Sequence, residues 1–189
     1  VKTDTVKRGP FAFAANVRGM DVDLATGRVF GATRQTGFQV MDASTGAAIT
    51  TVDTAGAANW TSHGIAVDTV ANRLYVTNDN AAGTEGVRVY DATTYALLRT
   101  LAVAKPDYRS IAVDPAAGRL YIGHSTDTFE ASGVRVLKSA DLTEIANFSA
   151  HAYGNKVYGV SVDSAKGVVY VSARDRYPTA IIALQRAAK

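Results

Sequence analysis

Residues 72–79 read NRLYVTND. Leu74, Tyr75, Val76 and Thr77 are β-branched, aromatic or apolar residues that suit a pleated, half-buried surface. Asn72 on one side and Asn78-Asp79 on the other are turn formers, so the stretch reads as a short strand between turns. GRVFGATR (27–34), GRLYIGHS (118–125) and GVVYVSAR (167–174) repeat its plan. The similarity extends upstream. RGMDVDLATGRVFGATR begins at Arg18, HGIAVDTVANRLYVTND at His63, RSIAVDPAAGRLYIGHS at Arg109 and YGVSVDSAKGVVYVSAR at Tyr158. The anchoring aspartates Asp23, Asp68, Asp114 and Asp163 are 45, 46 and 49 residues apart. A period of this length suits a blade of four antiparallel strands, the unit of a β-propeller.

Each unit divides the same way. A short first strand such as 64–68 ends on the aspartate, whose carboxylate is suited to accept backbone N–H groups of the turn that follows. Gly27, Asn72, Gly118 and Gly167 then supply residues that tolerate positive φ. The second strands are VFGAT, LYVTN, LYIGH and VYVSA. The third strands lie at 38–42, 87–91, 134–138 and 180–184, and the fourth at 48–52, 97–101 and 144–148. Phe30, Tyr75, Tyr121 and Tyr170 recur at one place in the second strand, where the expected role is packing between blades. The recurring aspartates are read as structural for the same reason.

The fourth unit runs out after its third strand, while residues 1–9 resemble a fourth strand, TDTVKRGPF paralleling RTLAVAKPD. The expected architecture is thus one all-β domain over 1–189. It holds four blades, with repeats at about 18–62, 63–108, 109–157 and 158–189, and the N-terminal strand completes the last blade. Half of a larger ring shared by two chains, or a fragment of a seven-bladed propeller, is the alternative.

The motif Tyr75-Val76-Thr77-Asn78, with the flanking IAVD and GVRVYDATT, resembles the YVTN-type β-propeller repeats of surface-layer and extracytoplasmic proteins. The resemblance covers almost the whole chain and is strongest over 62–126. It implies a propeller placed in the periplasm, at the cell surface or outside the cell. It does not imply one activity, because related propellers are scaffolds, binding proteins, lactonases or quinoprotein subunits.

Composition narrows the field. Apolar residues make up 47% and charged residues 20%, which is the balance of a folded globular chain. There is no cysteine, so disulfides and thiolate chemistry are excluded. No apolar run reaches the roughly 18–20 residues of a membrane-spanning helix, and no h-region opens the chain. The net charge of +3 without a Lys/Arg run does not call for nucleic acid.

In a propeller, loops between the fourth and next first strand share a face with loops between second and third strands. Arg18, His63, Arg109 and Tyr158 open the first strands on that face, while Arg34, Asn78, His124 and Arg174 stand at or near the ends of the second strands. A framework that repeats while such positions vary is the pattern of a binding rim. Arginine forks suit carboxylates or phosphates. The three histidines lie in different units without a short metal-binding spacing, and no GxSxG, Walker or GxGxxG motif occurs. No cofactor or metal is therefore expected. The leading expectation is a noncatalytic binding or scaffold module for a protein, a glycan or a small anionic ligand. A lactonase-like hydrolase or lyase using His63, Asn78, Arg109 and His124 is one alternative, and a self-associating unit or homodimer is another.

Overall fold

The computed structural model describes residues 12–34, 37–54, 61–79, 84–104, 107–125, 132–150, 152, 156–174 and 180–185. Strands and turns account for the regular structure, and there is no helix among these residues. Blade 1 is the meander β1 (Val17–Asp23), β2 (Arg28–Thr33), β3 (Gly37–Asp42) and β4 (Ala48–Val52). Blade 2 is β5 (Thr61–Asp68), β6 (Arg73–Asp79), β7 (Thr84–Asp91) and β8 (Leu97–Ala104). Blade 3 is β9 (Asp107–Asp114), β10 (Arg119–Ser125), β11 (Gly133–Lys138) and β12 (Glu144–Ser149). Blade 4 is β13 (Lys156–Asp163), β14 (Val168–Arg174) and β15 (Ala180–Gln185). All pairs are antiparallel, and the four sheets are arranged as the blades of a β-propeller. The strand expected from residues 1–9 to complete blade 4 lies outside the described residues.

The turn after each first strand explains the repeated aspartates. Asp23 Oδ1 accepts the N–H groups of Ala25 (2.9 Å) and Thr26 (3.2 Å), and its Oδ2 accepts the Thr26 hydroxyl at 2.7 Å. Asp68 does the same for Val70 and Ala71, Asp114 for Ala117 and Asp163 for Lys166. Four residues later the chain must turn left-handed, at φ 65° for Gly27, 54° for Asn72, 63° for Gly118 and 64° for Gly167. A second aspartate set closes the turns between third and fourth strands. Asp42 Oδ1 accepts Ser44 and Thr45 N–H at 2.8 Å each, and Asp91 Oδ1 accepts Thr93 and Thr94 N–H at 2.8 and 2.7 Å. In blade 3, Lys138 stands at that place and Asp141 takes over, accepting Thr143 N–H at 2.9 Å.

The core is laid down between blades rather than inside any one of them. Phe30, Ala32, Phe38 and Val40 form the trailing face of blade 1 and meet Ile65, Val67, Leu74, Val76 and Tyr90 on the leading face of blade 2. Phe38 and Tyr90 pack edge to face at 5.1 Å. Tyr75, Val87 and Val89 meet Ile111, Leu120 and Ile122 in the same way, and Tyr121, Val134 and Val136 meet Val169 and Val171. Full burial of such side chains contributes about 1.5–3 kcal/mol each, so these three seams hold the domain together. Across the first seam, Asp21 Oδ2 also accepts the backbone N–H of Val67 at 2.8 Å.

The first strands form the inner wall. β1 packs on β5, β5 on β9 and β9 on β13. Among the described residues β1 and β13 make no comparable contact. One expectation is modified accordingly: Phe30, Tyr75 and Tyr121 are buried in seams, whereas Tyr170 is exposed, because no described residue of another blade covers the trailing face of blade 4.

Candidate functional site

Every first strand breaks its register with β2, β6, β10 or β14 at the same point. The pairing skips from Val17 to Gly19 in β1, from Ser62 to Ile65 in β5, from Tyr108 to Ser110 in β9 and from Val157 to Gly159 in β13. The residues left out of the ladder are Arg18, His63 with Gly64, Arg109 and Tyr158. A β-bulge leaves one residue unpaired and re-aims its side chain. The four variable positions that head the inner strands are thus four bulge residues, presented in series at one end of the inner wall.

Small residues beside them bring consecutive strands together. A Cβ on Gly19 would stand 2.7 Å from His63 O and 3.0 Å from Gly64 Cα, and one on Gly64 would stand 3.0 Å from Ile111 N. The close approach lets Arg18 and Arg109 reach the next blade. Arg18 Nη1 donates to His63 Nδ1 at 2.7 Å, which makes that ring nitrogen the acceptor because a guanidinium only donates. The Arg109 guanidinium lies over the Tyr158 ring at 5.6 Å from its centroid. Arg18 and Tyr158 are exposed, Arg109 is half-buried and His63 is buried. The small residue after each rim position, in RGM, HGI, RSI and YGV, was the sequence signal for this close packing.

The other predicted residues take different places. Asn78 is buried in blade 2, where its Oδ1 accepts the hydroxyls of Ser62 (2.8 Å) and Thr54 (3.3 Å) and its Nδ2 donates to Val76 O (3.0 Å). It fastens the β4–β5 connection to β6. His124 is buried in blade 3, with Nε2 3.1 Å from Asn147 Oδ1 and its ring edge-on to Tyr108 at 6.4 Å. Burial pushes its imidazole below the ordinary histidine value. The Tyr108 hydroxyl receives Arg135 Nη1, and Arg135 Nε donates to Glu144 at 2.7 Å. Arg34 is exposed, and its backbone N–H donates to Asn16 O at 3.0 Å. The side chain of Arg174 lies outside the described residues. Of the eight predicted positions, four therefore stand in one row, while Asn78 and His124 are buried, Asn78 bonded to Thr54, Ser62 and Val76 and His124 Nε2 against Asn147.

Along the inner wall lies an open cavity of about 330 Å³. Met20, Asp21, Ile65, Ile111, Val160 and Ser161 are among its lining residues, so all four first strands contribute. Most of its lining residues are apolar in type, with Asp21 and Ser161 the polar ones among them.

No family model matches the chain, and no curated protein matches it. Solved structures do. The WD40 repeats of RRP9 match with a TM-score of 0.61 at 11% identity, over 92% of this chain and 52% of that one. Hydrazine synthase of Kuenenia stuttgartiensis matches with a TM-score of 0.68 at 12% identity, over 96% and 49%. A chain of the nidogen/laminin complex matches with a TM-score of 0.64 at 16% identity, over 85% and 57%. At these identities the likeness is one of fold, the β-propeller. The chain spans about half the length of the solved chains it matches.

Proposed function

We propose that the chain is a noncatalytic interaction module of the YVTN repeat type. Its binding surface is the bulge-borne rim Arg18, His63, Arg109 and Tyr158, and its ligand is a carboxylate-bearing surface of a partner protein. The observation that carries this reading is the coincidence of the four register breaks with the four positions that vary between repeats. A structural bulge has no need of side chains as unlike as Arg, His and Tyr at one repeated place, whereas a binding rim does. Two guanidiniums in one row, each braced by an aromatic ring of the next blade, are held ready for anionic groups without a large loss of side-chain freedom. One propeller of similar fold comes from a nidogen/laminin complex, a setting of protein–protein recognition. The likeness of the repeats to extracytoplasmic propellers leads us to place the module outside the cytoplasm.

The test is titration of acidic peptides, uronic-acid oligosaccharides and inorganic phosphate into the wild type and an Arg18→Ala/Arg109→Ala variant. Hydrogen bonds to a charged group contribute about 1.5–3 kcal/mol, so losing both arginines should weaken peptide binding at least about tenfold. The melting temperature should move little, because neither side chain belongs to the apolar clusters of the seams. Equal binding by the double variant, or peptide affinity in neither protein, would remove this assignment. Preference for the oligosaccharide or for phosphate would move the same rim to a glycan or a small anion.

A further inference from the structure

Arg18 and His63 stand closer than a contact between two cations allows. Arg18 Nη1 lies 2.7 Å from His63 Nδ1 and 3.3 Å from Nε2, so the guanidinium head sits against the nitrogen-bearing side of the ring. A guanidinium stays protonated and has only donors to give. The contact therefore needs a lone pair on the imidazole, and only the neutral ring has one. The backbone builds the approach in. A Cβ on Gly19 would stand 2.7 Å from His63 O, so β1 runs hard against β5 here. Arg18 is exposed, whereas His63 is only 5% exposed. The arginine has room to swing into solvent, and the histidine does not.

Histidine is the side chain whose charge changes between about pH 5 and 8. Taking up a proton turns both ring nitrogens into donors, and both then face a cation at hydrogen-bond distance. The strands packed on β5 bring further charge to this end. Arg34 at the end of β2 and Arg109 on β9 are cations. Asp21 of β1 is spent on the Val67 N–H, and Asp53 after β4 lies near Tyr90. The side chains of Asp79 on β6 and Asp107 on β9 lie outside the described residues.

We infer that His63 is a proton-controlled latch on the rim: protonation expels Arg18 from the ring, and a carboxylate of the partner takes the place between them. The inference rests on the rim being the binding surface proposed above. In the neutral state the rim offers the charges of Arg18 and Arg109, with Arg18 Nη1 committed to His63. In the acid state His63 adds a third charge, and the carboxylate receives N–H groups from both the ring and the guanidinium. Losing the brace costs the ordering of one side chain, a factor of up to about ten in affinity. A hydrogen bond to a charged group contributes a factor of about ten to a hundred, so the gain prevails. The partner is held more tightly in acid.

Two readouts on the whole chain test this. The first needs no ligand. By heteronuclear NMR, His63 at about pH 8 should show an unprotonated Nδ1. The Arg18 Nε signal should move between about pH 8 and about pH 5.5 in the wild type but stay put in His63→Gln, which never takes up a proton. An Arg18 signal that ignores pH, or that moves equally in His63→Gln, overturns the latch. The second is titration of a glutamate-rich peptide, which stays ionised above about pH 5. Its affinity should rise at least about fivefold from about pH 8 to about pH 5.5 in the wild type and change less than about twofold in His63→Gln. Equal affinity of the wild type at both pH values overturns the latch. No binding at either pH, beside an Arg18 signal that moves as expected, overturns the rim as a binding surface and leaves the proton-controlled contact standing.

Discussion

Asn78→Ala separates a fastening role for this residue from a ligand-binding one. Asn78 bridges Thr54, Ser62 and Val76 in an interior that solvent does not reach. The substitution leaves the buried Ser62 hydroxyl without the acceptor at 2.8 Å and removes the Nδ2 donor from Val76 O. Each buried polar group deprived of its partner costs about 1–3 kcal/mol. The remaining Thr54–Ser62 contact at 3.3 Å offsets part of this, so the sum is about 2–4 kcal/mol. In a domain of this size about 1 kcal/mol lowers the melting temperature by about 2–4 °C, so a drop of about 4–16 °C is expected. Thermal melts by circular dichroism at one protein concentration measure it. Because Ser62 shares the bond, a double-mutant cycle with Ser62→Ala should show a coupling of about 1 kcal/mol or more. Affinity for acidic peptides, measured well below the melt, should stay within a factor of two or so of wild type. A change under about 2 °C together with lost binding would place Asn78 on the rim and refute the fastening role.

Three further outcomes follow from the same geometry. Gly37→Ala should lower the urea midpoint by an amount equivalent to at least about 2 kcal/mol, since its φ is 93° and a Cβ would run into Val52 O and Thr54 N. An unchanged midpoint would contradict the close approach of β3 to β4. Gly19→Ala should reduce stability and peptide affinity together, because it pushes β1 from β5 and parts Arg18 from His63, and melting with titration on one sample checks both.

Stability should also fall in two stages as pH is lowered. Burial depresses His124 below 6.5, so the unfolded state takes up a proton first and stability declines below that pH. The turn carboxylates follow. Hydrogen bonds from Ser44 and Thr45 hold Asp42 at about 2 against 3.8, and Asp23, Asp91, Asp141 and Asp163 are lowered by similar bonds from their turns. A depressed carboxylate stabilises the fold above its unfolded value, and this is lost as pH falls from 3.8 towards about 2. Melting temperature against pH should show both limbs, and His124→Phe should erase the upper one.

The fold was legible because its determinants are local and repeated. An aspartate, a left-handed Gly or Asn and a β-rich second strand define one hairpin, and four copies at a constant period require four blades. The turn aspartates could be recognised as structural from repetition alone. The row of bulge positions was legible too, since Arg18, His63, Arg109 and Tyr158 stand at equivalent places in the repeats. Asn78 and His124 stand at equivalent places as well, but in the second strand and turned into the protein, where Ser62 and Asn147 are their partners. Strand alternation cannot tell a rim residue from a buried one when register breaks next to it.

The amino-acid sequence therefore settled which hairpins form, because turn chemistry and strand alternation act over a few neighbours. Tertiary structure alone decided where the bulges fall, which polar groups find partners across strands and which apolar faces lack one. The similarity of Tyr170 to Tyr75 in sequence says nothing of their fates: Tyr75 is buried because a third blade lies against it, and Tyr170 is exposed because no described blade of this chain reaches it. Burial depends on what lies across the seam, and residues adjacent in the chain do not report it.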